Sequence, residues 1–139
     1  MAQTQEICDK GIKEWVILMS DASSPAATAA NQIVCLNSST VCTAAKTSAY
    51  STPVATHHTG SGLEVATVDT MGQGTTNTAG DTLEFDHVFT STGTKNVCGI
   101  HLANQDKDVT FVEVCFNSVI AMENTDTLTI DGAVVVDQA

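Results

Sequence analysis

Asp81-Thr82-Leu83-Glu84-Phe85-Asp86-His87-Val88-Phe89-Thr90 is the stretch that decides the fold. Successive side chains of an extended strand point to opposite faces. Leu83, Phe85, His87 and Phe89 therefore share one side and Glu84, Asp86, Val88 and Thr90 the other, the period of two of a half-buried strand. Asp81-Thr82-Leu83-Glu84-Phe85-Asp86 matches Asp126-Thr127-Leu128-Thr129-Ile130-Asp131, which opens the last patterned segment, 127–136, with Leu128, Ile130, Val134 and Val136 inward. The two copies read as equivalent strand starts, with Leu83/Phe85 and Leu128/Ile130 as core pairs, and they suit two pseudo-symmetric sheets better than a solenoid.

Working outward, Ser91-Thr92-Gly93-Thr94 reads as a turn into a strand over 96–103, with Cys98, Ile100 and Leu102 on one face and a hairpin expected between the two strands. Asn104-Gln105-Asp106-Lys107-Asp108 turns the chain into 109–116, and a separate short segment, 119–122, follows Asn117-Ser118. Upstream, 63–68 alternates as a strand, and the glycines and threonines of 71–80 read as a flexible turn region. Trp15-Val16-Ile17-Leu18-Met19 is a short apolar run halted by turn formers, a buried strand with Trp15 as core anchor. Residues 25–62 carry little pattern beyond 33–36 and 41–42, and so long a stretch is expected to be ordered by a neighbouring subunit. Residues 1–14 read as an N-terminal segment, either a turn or two of helix or an assembly arm. The expected fold is all-β: an antiparallel β-sandwich, jelly-roll or immunoglobulin-like, in one domain over 1–139, with the N-terminal helix as an optional addition. Its core anchors are Trp15, Leu83, Phe85, Phe89, Leu128 and Ile130.

Five lysines and no arginine stand against 16 acidic residues, a formal charge of -11. Phosphate backbones and anionic membranes would repel such a chain, so nucleic-acid binding is disfavoured. The apolar run at 15–19 is too short to cross a bilayer, and no signal-peptide pattern leads the chain, so synthesis and folding in the cytoplasm are expected. Cys8, Cys35, Cys42, Cys98 and Cys115 are odd in number and contain no Cys-x-x-Cys, which reads as buried free thiols.

No patterned nucleophile and base emerge, and neither a catalytic residue nor a cofactor is expected. His57 and His58 are adjacent and would face opposite sides of a strand; they, His87 and His101 read as structural or loop histidines. Asn104, Asp106 and Asp108 place oxygens at alternate positions, as at the start of a calcium loop. Val109 and Cys115 then stand where the turn glycine and bidentate glutamate belong, leaving these three as weak calcium candidates. Gly72-Gln73-Gly74 lacks the third glycine of a dinucleotide fingerprint, with Asn77 in its place. Glu64, Glu84 and Glu113 read as strand-face charges that discourage wrong edge pairing.

The order of features, with Trp15 to Thr28, Gly62-Leu63-Glu64-Val65-Ala66-Thr67-Val68, Asp81 to Thr94, Gly99-Ile100-His101-Leu102-Ala103-Asn104 and Asp126-Thr127-Leu128-Thr129-Ile130, resembles small β-sandwich structural proteins of tailed viruses, of the tail, tail-fibre or capsid-decoration type. The resemblance covers most of 12–136 and departs at Glu64-Val65, where an arginine is usual, and at Gln105-Asp106-Lys107-Asp108, which replaces a Gly-rich tip; no functional residue carries over. It implies a virion structural protein, a non-enzyme, forming a homo-oligomer on the capsid surface or tail. Its partners would be copies of itself and other virion proteins, with a host-surface receptor or glycan beyond them, on the virion exterior after synthesis in the host cytoplasm. The alternative is a cell-surface adhesion, sugar-binding or filament-forming β-sandwich.

Overall fold

The computed structural model describes residues 3–9, 11, 30–75 and 79–135. Among the described residues nine strands build two antiparallel sheets: β1 (Thr4–Ile7), β2 (Gln32–Asn37), β3 (Thr56–His57), β4 (Ala66–Thr67), β5 (Thr70–Thr75), β6 (Ala79–Thr90), β7 (Lys95–Ala103), β8 (Thr110–Met122) and β9 (Thr127–Val135). The larger sheet runs β1-β8-β7-β2-β3, with β4 on the same edge of β2 as β3; the smaller runs β5-β6-β9. The architecture is an all-β sandwich. The expected strand at Trp15–Met19, its anchor Trp15, and Val136 lie outside the described residues.

Residues with the period of two meet between the sheets. Phe85, Phe89, Ile130 and Val134 from the smaller sheet pack with Ile33, Cys35, Ile100, Leu102 and Val112 from the larger, and Leu83 and Leu128 are partly buried against this cluster. The matching Asp-Thr-Leu segments lie on antiparallel neighbours of one sheet and meet at their last aspartates, Asp86 paired to Asp131. They are therefore related by a local two-fold through one sheet, and do not start one strand in each of two sheets. Phe85 is opposite Gly132, where a Cβ would come 2.7 Å from the ring's Cε2. Gly132→Ala is accordingly expected to cost about 1–3 kcal/mol through overpacking, read as a lower urea midpoint with unchanged slope.

Several local expectations change. The turn at 91–94 makes no hairpin: β6 pairs with β5 and β9, whereas β7 pairs with β2 and β8, so the chain crosses between sheets there. The crossing is held by Ser91, whose N–H donates to Asp126 O (2.8 Å) and whose carbonyl accepts from Thr125 N (2.7 Å). β8 is one strand through Asn117-Ser118, since a register shift between Val97 and Gly99 of its partner absorbs the irregularity. Residues 70–75 are a strand because β6 is long enough to pair them despite their glycines. Of 63–68 only Ala66–Thr67 is strand, and 41–42 is none. Thr4–Ile7 pairs with β8, so this part of the N-terminal segment is extended where a helix was an option.

Thr125 ends the β8–β9 connection at φ 75°, a left-handed conformation that disfavours a β-branched residue. Thr125→Gly is expected to raise stability by about 1 kcal/mol, measured by chemical denaturation; a loss would mean that its side chain holds the turn.

Candidate functional site

β2 and β7 are buried on both faces, which a two-layer sandwich does not require. The cause is a third layer. Residues 38–58 fold back over the outer face of the larger sheet, opposite the face that meets β6 and β9. Register places Val34, Leu36, His101, Glu113 and Cys115 on this outer face, exposed by 1%, 0%, 0%, 0% and 0%. The layer is ordered by its own chain, which replaces the expected neighbouring subunit for these residues.

Its fastening centres on Glu113. Oε1 receives His101 Nε2 at 2.5 Å and the Val54 N–H at 3.4 Å, while Oε2 receives the Ala45 N–H at 2.9 Å and the Ser48 hydroxyl at 2.8 Å. His101 Nδ1 meets His57 Nε2 at 2.9 Å, and the His57 ring lies 4.4 Å from that of Tyr50. A second fastening is the Cys42–Cys115 disulfide, which ties the start of the layer to β8. Two expectations are thereby corrected. Glu113 is on a central strand and anchors a loop, where it was read as an edge guard. Cys42 and Cys115 are paired because the layer carries one over the other, while Cys8, Cys35 and Cys98 are buried free thiols.

Burial by itself would raise the Glu113 carboxyl, but hydrogen bonds from His101, Ala45 and Ser48 and the charge of His101 outweigh it and hold it below the usual carboxylate range. Burial and the neighbouring His101 bring His57 down to about 4, so its imidazole is neutral at pH 7. Burial pushes the Cys8 thiol up to about 12, with Glu113, Asp9 and Glu6 adding to it, and so leaves it unreactive at neutral pH. Both members of the Glu113–His57 chain predict acid lability. His57 titrates lower when folded, so its contribution is complete above about 6.5 and declines as pH falls toward 4. The Glu113 contribution is present above the ordinary carboxylate value and is lost as pH falls through its depressed folded one. Denaturation midpoints measured from pH 8 to 4 are expected to fall continuously below 6.5; a flat profile down to 5 would exclude a neutral His57.

The other histidines serve separate ends. His58 bonds Asn96 O at 2.9 Å, directed away from His57's partner, and His87 Nδ1 lies 3.2 Å from Asp69 Oδ2 without hydrogen-bond alignment. The calcium candidates form a turn. Asn104 Oδ1 accepts the N–H groups of Asp108 (3.1 Å) and Val109 (3.0 Å), and its Nδ2 donates to Asp108 Oδ1 at 2.6 Å. Asp106 is exposed at the tip. Among the described residues no three of His, Cys, Asp or Glu are grouped to hold a metal ion.

A cleft of about 830 Å³ opens between β1 and β9, with Ile7, Phe85, Val114, Phe116, Ile130 and Val134 on its apolar walls and Glu6, Asp9, Asp131 and the loop layer's Lys46 as its charged lining. Among the described residues β1 pairs only with β8 and β9 only with β6, so each is an edge strand of its sheet. Sequence patterning identifies the inward residues of β9 but gives no sign that the sheets separate there. Comparisons with protein-family models, with curated proteins and with solved structures find no match to this chain.

Proposed function

We propose that this chain is a virion structural protein that assembles as a homo-oligomer on the capsid surface or tail, in a decoration or fibre role. The observation that carries the reading is the apolar cleft bordered by two edge strands, β1 and β9. Edge strands offer unpaired backbone groups and an apolar cleft offers area, and together they suit burial against another chain. Partners would be further copies and other virion proteins, each interface of order 1,000 Å² or more and summed over the particle. The histidine and carboxylate chemistry fits this assignment, because its hydrogen bonds serve the loop layer and the sheet beneath it.

The test is native mass spectrometry of the full chain, followed by its incorporation into particles assembled with and without it. A defined oligomer that enters particles supports the proposal. A monomer that ignores capsids and tails and binds a glycan array would sink it in favour of a sugar-binding sandwich.

A further inference from the structure

The buried carboxylate beneath the loop layer is met by four donors. Oε1 faces the His101 and Val54 N–H groups, and Oε2 faces the Ala45 N–H and the Ser48 hydroxyl. A hydroxyl hydrogen on Oε1 would point at an N–H, and one on Oε2 requires Ser48 to turn from donor to acceptor. The His101–His57 contact compounds this. With His101 carrying the charge that acts on both neighbours, its Nε2 donates to Glu113 and its Nδ1 donates to His57 Nε2, which accepts. A further proton on His57 Nε2 then faces the His101 N–H and a second cation, and one on Glu113 requires a donor to change role.

We infer that residues 43–55 form an acid-released flap, lifted when the Glu113–His101–His57 chain takes up a proton and hinged on the Cys42–Cys115 disulfide and the β2–β3 pairing. The surrounding groups do not oppose this. Glu6 on β1 is the register partner of Glu113. Among the described residues, His101 and Cys98 on β7, His57 on β3 with His58 just after it, Cys8 and Asp9 after β1, and Lys46 and Tyr50 in the layer complete the titratable set near the hub. The depressed titration of His57 and Glu113 places the release below neutral pH. The hinges survive protonation: the disulfide is covalent, and Leu36–His57 and Asn37–Thr56 are backbone pairs. The device is independent of the proposed assembly role.

Hydrogen exchange of the full, oxidised chain at pH 7.5 and pH 4.0, corrected for intrinsic exchange rates, tests it. Protection of 43–55 is expected to fall at least tenfold at pH 4.0, while 99–102 and 111–115 stay protected. Glu113→Gln, whose amide brings its own N–H groups to the same donors, should expose 43–55 already at pH 7.5. His57→Phe keeps a ring against Tyr50 and removes the outer titrating group, so it should move the opening to lower pH. Unchanged protection of 43–55 at pH 4.0, loss of protection in flap and sheet together, or an unmoved midpoint in His57→Phe would each overturn the proposal.

Discussion

Glu113→Ala is expected to destabilise the protein by about 3–5 kcal/mol, the range for removing one member of a buried, hydrogen-bonded charge pair. The loss has three parts. His101, fully buried, is left without the acceptor of its Nε2; the Ala45 N–H and Ser48 hydroxyl lose theirs; and a cavity opens where the side chain stood. A domain of this size has a total stability of roughly 7–20 kcal/mol, so the variant would fold only marginally at the lower end of that range. Chemical denaturation at pH 7.5 measures it. A loss below about 1 kcal/mol would mean that the loop layer is held by the disulfide and by packing, and that the carboxylate's bonds merely offset its desolvation.

Cys42→Ser is expected to lower stability by about 4 kcal/mol under oxidising conditions, from the entropy of a closed loop whose ends are 73 positions apart in sequence. Cys42 is the better position to change because it is only half-buried, whereas Cys115 is buried and its replacement would add a packing loss. The corresponding fall in melting temperature is about 10–20 °C. The same substitution should be nearly silent in the presence of a dithiol reductant, where the parent chain should drop to the variant's level. Equal melting temperatures with and without reductant would show that the bond does not form in solution. This contrast also separates the two fastenings: Cys42→Ser acts only when the protein is oxidised, Glu113→Ala in either state.

The smaller sheet was largely legible. Alternation along 83–89 and 128–134 assigns faces because one side of β6 and β9 meets the core and the other meets solvent, and Phe85, Phe89 and Ile130 are buried as that pattern requires. The pattern fails along β2 and β7. Covered on both faces, they present continuous burial, and a rule that asks which side is apolar has no answer there. The Ala-, Ser- and Thr-rich stretch that supplies the cover has no period, because it is neither helix nor sheet and is held by side chains of other elements.

The hub was missed for a related reason. His101 and Glu113 stand 12 residues apart in a hairpin, and reflection about the turn at 104–108 would bring them close to face-to-face. A register shift between Leu102 and Ala103 completes the alignment, and such a shift depends on how Asn104 bonds the two amides of its turn. His57 joins only through the path of the loop layer, 44 residues away.

The sequence by itself determined the β class, the inward residues of β6 and β9, the turns that bound the last strands and the acidic surface, because these follow from local backbone preference, a period of two and summed charge. Only the tertiary structure decided which strands share a sheet, that the matching aspartate strands are neighbours, that a third layer covers the larger sheet, and that Glu113 and Cys115 anchor it. Those outcomes depend on contacts between residues far apart in the chain. Such contacts form when layers stack and loops close, so no local pattern encodes them.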